Sequence, residues 1–539
     1  MPWNYGDILD AVAGAIRPDA PAFIHEDRKI TWGEARGRMN NLARALAKRG
    51  ATPGDKVAFY LRNGIEYIEA TGASFLGRFV HVNVNYRYKP EEVRYILDNS
   101  DAVVLVYGAE FRDAVIAIKD QLPKVKAFVE VSEDGSVAEF AENYDDLVAE
   151  GDGAPLGIKR SPQDMLFIYT GGTTGMPKGV MWEYSELCTL WHNRALRTLG
   201  IKFETIPQFA AISLAAGQGP VTLPACPLMH GTGFISALTT MLSGGCVVTV
   251  DNHHFDPHAI WDAVQKYRVQ GIAIVGDPFA KPLLEALDED PGRYDLSSML
   301  TMSSSGAMWS VETKRGLLRH IPQLTMTDSF ASTEAMGMGA SIMTKDGEVQ
   351  TAAFMPLENA IVIDENDKVI PPGTGKAGVV ALGGPLPRGY YKDPEKTART
   401  FRTIGNQRYS IPGDFARVEA DGSLTLLGRG SNCINTAGEK VYPEEVEEVL
   451  KRHPAVEDAL VLGVPDPKWG QAVTGVVKLV EGAEFDEAQI REHVRAHLAG
   501  YKTPKRVLDA NGVNLRAPNG KADYKSATEY ARRELGLAV

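Results

Sequence analysis

The stretch Tyr169-Thr-Gly-Gly-Thr-Thr-Gly-Met-Pro-Lys-Gly-Val180 gathers hydroxyls, backbone N–H groups and one ammonium in a short run. Thr170, Thr173 and Thr174 supply hydroxyl donors, and Lys178 supplies a fixed positive charge. Gly171, Gly172 and Gly175 permit φ > 0 and close backbone approach. A flexible loop with many N–H donors and one Lys is what a polyphosphate needs, so a nucleoside triphosphate is the expected ligand. A Walker A loop is excluded. It requires Gly-Lys followed by Ser or Thr at the start of a helix, whereas Pro177 precedes Lys178 and Gly179 follows it. A Gly-rich surface turn is the bland alternative.

The elements that must hold this loop are legible around it. Just upstream, Met165-Leu-Phe-Ile-Tyr169 reads as a short buried strand. Tyr5, Ile8, Leu9, Val12 and Ile16 recur at helical spacing. Thr31-Trp-Gly-Glu34 is a capping-box start for a helix running to about Arg49. Lys56-Val-Ala-Phe-Tyr-Leu61, Phe79-Val-His-Val-Asn-Val and Ala102-Val-Val-Leu-Val-Tyr107 read as strands separated by helices. A second alternating series runs from Cys246 to Met302 and ends in Ser303-Ser-Ser-Gly-Ala307. Strands alternating with helices predict βαβ units and mostly parallel sheets. From about Glu348 short strands separated by turns predict a β-rich lobe, and after Gly428 a smaller α/β unit begins.

Composition limits the function classes. At 539 residues the chain exceeds one domain. A net charge of −12 argues against nucleic-acid binding and against general attraction to anionic membranes. The four cysteines, Cys188, Cys226, Cys246 and Cys433, lack C-x-x-C spacing and point to a reducing, cytoplasmic setting. The N-terminus does not read as a signal peptide. Between positions 205 and 250 no Asp, Glu, Lys or Arg occurs. Gly and Pro interrupt this stretch too often for an integral membrane segment, and it reads as buried loops and strands lining a pocket.

Further patterns follow in order: Pro227-Leu-Met-His-Gly231, Asp328-Ser-Phe-Ala-Ser-Thr-Glu334, Gly389-Tyr-Tyr-Lys-Asp-Pro-Glu-Lys-Thr397, Tyr409-Ser-Ile-Pro-Gly-Asp414, Gly428-Arg-Gly-Ser-Asn-Cys-Ile-Asn-Thr-Ala-Gly-Glu-Lys-Val-Tyr-Pro-Glu-Glu-Val446 and Ala517-Pro-Asn-Gly-Lys-Ala522. Over nearly the whole chain this ordered set resembles the adenylate-forming superfamily of acyl-CoA synthetases, adenylation domains and luciferases. The later motifs look most like those of fatty acyl- and steroid-side-chain-CoA ligases. The resemblance implies an α/β fold: a large multi-lobed N-terminal domain (two βα sheets plus a β-rich lobe) with a small mobile α+β C-terminal domain. Its expected bounds are 1–428, a hinge at 429–432, and 433–539. It also implies two half-reactions. A carboxylate attacks the α-phosphate of ATP to give acyl-AMP and pyrophosphate, and the thiol of coenzyme A then takes the acyl group.

Site roles follow from the same resemblance. Lys521 is expected beside the α-phosphate and the attacking carboxylate; alone it reads as a solvated lysine in a polar tail. Glu334 is expected to bind Mg²⁺, with Thr333 on phosphate. Phe330 stands where relatives often stack a Tyr on adenine, with a core Phe as the rival. Asp328 and Ser329 precede it in the same motif, and Gly306 and Ala307 border adenine and acyl group. Asp414 accepts from the ribose hydroxyls, and Arg429 reaches ribose or phosphate. Pro412 replaces the usual Thr of that motif. Ser431 occupies the hinge position, where most relatives have Asp or Lys. Gly438, Glu439 and Lys440 are expected in a loop lining the thiol tunnel, a solvated charge pair being the alternative. His230 is expected as a wall or gate of the acyl pocket rather than a base, because carboxylates are already ionised at pH 7.

The missing acidic residues between 205 and 250 argue against an amino-acid substrate, whose ammonium would lack a partner. Leu228, Met229, Phe234, Ile235, Leu238 and Met241 offer an apolar wall instead. An apolar carboxylic acid, fatty, branched, aromatic or steroid-like, is therefore expected, with ATP and CoA as the other small-molecule partners. Transfer to a carrier-protein thiol and a non-catalytic acyl or nucleotide sensor are the alternatives, and homo-oligomerisation is left open.

Overall fold

The computed structural model describes residues 1–172, 175–251, 253–347, 352–432, 434–436, 439–466, 470–498, 500–517 and 521–537. Thr173, Thr174, Cys433 and Gly438 lie outside the described residues.

Among the described residues the chain forms three sheets. The first is built on parallel strands Lys56–Tyr60, Val80–Asn83, Ala102–Gly108 and Ala127–Val131. Ala102–Gly108 is buried at every position, as its unbroken apolar sequence requires of a strand covered on both faces. Met165–Gly172 joins this sheet beside Val80–Asn83. It then folds back antiparallel onto Gly175–Glu183.

The second sheet sets Pro21–His25, Cys246–Thr249, Val221–Pro224, Gly271–Ile274, Thr301–Ser305 and Thr325–Ser332 side by side, all parallel. Ala335–Met343 turns back antiparallel on it. Ala353–Pro356 then hands the hydrogen-bond ladder to the β-rich lobe through Leu424–Arg429. The lobe is thus continuous with the second sheet. A shared apolar core, including Tyr5, Trp32, Phe59, Trp182 and Phe234, lies between the first two sheets. The third sheet comes from strands between Ile434 and Asp509 and is covered by helices Pro443–Lys451, Glu487–His497 and Tyr524–Glu534. The capping box at Thr31 and Glu34 is formed.

Three expectations are corrected. The phosphate-loop stretch is largely a β-hairpin, because Tyr169 pairs with Gly179 and Thr170 with Lys178. Gly179 serves close packing here: a Cβ on it would come within 2.7 Å of the Tyr169 ring. The uncharged stretch is not loops and strands alone. It contains the helices Ile206–Ser213 and Gly231–Leu242, started by Thr205 and His230. Glu439 and Lys440 open a strand, Glu439–Val441, paired with Ile434–Thr436 rather than lying in a loop. No helix among the described residues is long and apolar enough to cross a membrane.

Candidate active site

A cavity of about 3160 Å³ opens where the second sheet, the β-rich lobe and the third-sheet unit meet. From the second sheet it takes Gly306, Ala307 and the run 328–334. The strand Thr301–Ser305 ends there in a left-handed turn at Gly306, whose φ is 93°. His230 reaches it from the start of the helix Gly231–Leu242, Asp414 from the strand Asp414–Val418, and Thr170 from the hairpin. Lys521 and Arg516 reach it from the third-sheet unit.

The carboxylate of Glu334 is oriented by Tyr390, whose hydroxyl donates to Oε1 at 2.7 Å. Trp182 donates its indole N–H to the Thr333 carbonyl at 2.9 Å, fixing the backbone just before Glu334. Tyr390 belongs to the two-residue strand Gly389–Tyr390, which pairs with Val180 and Met181 of the hairpin. Three residues on, Asp393 forms an ion pair with Lys178. The Lys178 ammonium holds the Asp393 carboxyl below its ordinary range. Lys178 is therefore turned onto Asp393 and is not part of the cavity wall.

His230 has no hydrogen-bond partner for its buried Nε2. Burial, with like-charge repulsion from Lys521 and Arg87, pushes its imidazole down to about 3. The ring is neutral at physiological pH, which suits a wall and not a proton carrier. Asp328 lines the cavity, but its carboxylate bonds the buried Lys314 ammonium at 3.2 Å. Burial lifts its carboxyl to about 6 against the pull of Lys314. Asp328 is thus a buried partner of Lys314 at the cavity wall. Phe330 is 6% exposed and packs on Phe354 at 5.5 Å between ring centres, so most of its ring belongs to the β-lobe core while an edge meets the cavity.

Lys521 sits on a short arm. Its carbonyl accepts from the Ala517 N–H at 2.8 Å, and Arg516 bridges to Ala522. Arg516 forks onto Asp458 at 2.7 and 2.6 Å. Just past the arm, the Tyr524 hydroxyl donates to Glu447 at 2.9 Å, and Glu447 also accepts the Val461 N–H at 2.8 Å. Burial raises the Glu447 carboxyl to about 7, with the Lys451 ammonium opposing the rise.

Of the residues expected on the acyl side, Met229, Ile235 and Leu238 line the cavity. Leu228, Phe234 and Met241 are packed into the core. Phe234 and Met241 form the buried stripe of the helix Gly231–Leu242, which leaves Ile235 and Thr239 on the cavity side. The helix Tyr184–Leu199, unread in the sequence, adds Leu187, Leu190 and Trp191 to the wall. Their i, i+3, i+4 spacing was the available signal. Gly171, Gly172 and Gly175 stand at the hairpin tip, and the Arg429 backbone pairs with Asp414. The side chains of Arg429, Ser431, Glu439 and Lys440 lie outside what is described.

A family model for AMP-binding enzymes matches residues 11–391, and one for the AMP-binding enzyme C-terminal domain matches 445–515. The chain is 39% identical to a 3-oxocholest-4-en-26-oate–CoA ligase of Rhodococcus rhodochrous, over 100% of this chain and 97% of the relative. It is 36% identical to the medium-chain acyl-CoA ligase Mig of Mycobacterium avium, over 97% of each. The fold matches ATP-bound MatB from Rhodopseudomonas palustris with a TM-score of 0.81 at 24% identity, over 99% of this chain and 100% of that one.

Proposed function

Because this chain belongs to the AMP-binding enzyme family and is an ATP-dependent acid–CoA ligase working through an acyl adenylate, we propose that its acid is apolar, of the fatty or steroid-side-chain kind, and that Lys521 and Glu334 serve its first step. The observation that carries this reading is that Lys521 and Glu334, from separate sheets, line one cavity whose far wall is the apolar face of Leu187, Leu190, Trp191, Ile235 and Leu238.

In the first half-reaction two anions must meet, so stabilising charge dominates. Lys521 lies across the bond-forming centre, its ammonium countering charge on the α-phosphate oxygens as the carboxylate attacks. Lys178, released from Asp393, holds the departing pyrophosphate. Asp414 takes the ribose hydroxyls. No general base is required, and neutral His230 closes the acyl side without competing for the phosphates. Glu334 fits a divalent cation: Tyr390 satisfies Oε1, and a lone oriented carboxylate is the usual protein share for Mg²⁺ on a nucleotide. When bound, Mg²⁺ neutralises phosphate charge.

The same reading puts a hinge at 429–432, between 1–428 and 433–539. Gly428, with φ of 98°, and Gly430 support it as flanking points of backbone freedom. Gly438, Glu439 and Lys440 would face CoA after the swing. A cytoplasmic location is part of the reading and rests on the free thiols of Cys188, Cys226 and Cys246.

The test is a pyrophosphate-release screen over carboxylic acids of graded size, with and without CoA. Acid-dependent release and a CoA thioester that appears only with CoA are expected. Release that is fastest with small polar acids overturns the apolar substrate class.

A further inference from the structure

The cavity draws its residues from two sources of opposite character. The helices Tyr184–Leu199 and Gly231–Leu242 give it Leu187, Leu190, Trp191, Ile235 and Leu238. The second sheet gives it hydroxyls. Register places Thr301 beside Thr325, Ser303 beside Thr327, and Ser305 beside Ser329. Their alternates along the same strands, Met302, Ser304, Met326 and Asp328, are buried, with Ser304 and Asp328 also touching the cavity. The cavity floor is therefore a grid of hydroxyls, spaced about 5 Å across strands and about 7 Å along them.

These hydroxyls are not all used by the fold. At the level next to Gly306, the Ser305 hydroxyl donates to the Ser329 carbonyl at 2.9 Å, and Thr232 donates to the Ser305 carbonyl at 3.2 Å. Farther from Gly306, none of the hydrogen bonds among the described residues engages the hydroxyls of Thr301, Ser303, Thr325 or Thr327. His230 adds another cavity-facing polar atom without a partner, its buried Nε2. A straight saturated chain gains from a wall only where that wall is apolar. Laid over this floor it would strip water from hydroxyls and return no hydrogen bond. Gly271, directly beside Thr301, adds no side chain to the floor: a Cβ there would stand 2.7 Å from the Thr301 hydroxyl. The slot thus has one oily wall and one hydroxylated wall.

Resting on the ligase reading above, we propose that the acyl slot selects a polycyclic acid carrying hydroxyl or oxo groups on one face, and that Ser303 and Thr327 are its specificity-determining residues. The apolar face of such an acid lies on Trp191, Leu190 and Ile235. Its oxygenated face exchanges hydrogen bonds with the floor, each hydroxyl of which both donates and accepts.

The experiment compares cholate, whose ring hydroxyls share one face, with 5β-cholanate, the same skeleton without them, and uses decanoate as a linear control. Wild-type kcat/KM is expected to favour cholate over cholanate at least about tenfold, the discrimination that unpaired hydroxyls impose against an analogue lacking partners. The double variant Ser303→Ala, Thr327→Val is expected to cut that ratio about tenfold by lowering cholate turnover. Equal wild-type use of the two steroids, or preference for cholanate, overturns the proposal, as does a ratio unchanged in the folded variant. The wild-type comparison decides even where the variant fails to fold. Decanoate separates the failures: its conversion to a CoA thioester with no steroid discrimination sinks the slot alone, whereas no turnover of any acid sinks the ligase reading and this proposal with it.

Discussion

Lys178 and Lys521, the two ammonium groups proposed to meet the nucleotide, are held in opposite ways. Lys178 lies in a hairpin cross-linked to its surroundings. The Tyr391 and Arg388 N–H groups bond the carbonyls of Gly179 and Met181, both at 2.8 Å. Trp182 bonds the Thr333 carbonyl, and Tyr390 bonds Glu334. The phosphate hairpin and the acidic group at 334 therefore share one frame. Lys521 rides on an arm with anchors, Arg516 on Asp458 and Tyr524 on Glu447, in its own unit. On the mechanism proposed above, the difference divides the work: the large part keeps the polyphosphate and metal groups in fixed register, and the small part delivers or withdraws the lysine.

The sharpest way to break this contrast is to remove the delivered group. Lys521→Ala is expected to slow acyl-adenylate formation by about 10²–10³-fold, the usual cost of one transition-state donor. Thioester formation from supplied acyl-AMP should persist, because the proposed mechanism withdraws the arm for that step. Single-turnover rates for each half-reaction check this, and equal loss of both contradicts the division.

A smaller effect is expected within the fixed frame. Tyr390→Phe removes one hydrogen bond to a carboxylate and leaves the ring packed near Phe401. A hydrogen bond to a charged group contributes about 1.5–3 kcal/mol, so kcat/KM for ATP should fall at least about tenfold. Added Mg²⁺ should recover part of the loss, since the defect lies in orienting Glu334. Titrating ATP at several Mg²⁺ concentrations gives the answer. A loss that Mg²⁺ leaves untouched would mean that Tyr390 supports only the fold.

Much of this frame was legible in the chain, and what was missed has physical reasons. The parallel strands announced themselves because strands buried on both faces must be apolar throughout, as 102–108 is. The capping box at Thr31 depends on local geometry alone, so spacing was enough. The hairpin reads as a loop in sequence because Gly and Thr run together at its tip; the pairing of its own two strands, with Gly389–Tyr390 added beside them, makes it sheet. The segment 389–397 was seen as a pattern, but its task was hidden, since Tyr390 meets Glu334 across 56 positions and Asp393 meets Lys178 across 215. Of the apolar residues expected on the acyl wall, half touch the cavity. Apolar identity marks residues that leave water but not whether they enter a core, like Phe234, or a cavity, like Ile235. The hydroxyl floor went unread because Ser and Thr on a strand are unremarkable until register lines them up across neighbours.

The smallest predicted effect tests whether Asp393 serves Lys178 or competes for it. The pair is partly exposed, with side-chain exposures of 29% and 24%. Such pairs contribute about 0.2–1 kcal/mol, so the Asp393 carboxylate withholds Lys178 from a phosphate by a factor of about two to five at most. Asp393→Asn keeps the cap on the helix Pro394–Thr400, where this side chain accepts the Lys396 N–H at 2.9 Å, because Asn caps as well as Asp. Stability should barely change. If Asp393 is a resting partner that phosphate displaces, the Asn variant binds ATP about two- to fivefold more tightly, and the gain shrinks as salt screens the competing charge. Weaker ATP binding at every salt concentration would give Asp393 the opposite role: the ion pair would then be what aims the ammonium, making Lys178 part of the fixed frame down to its charged end.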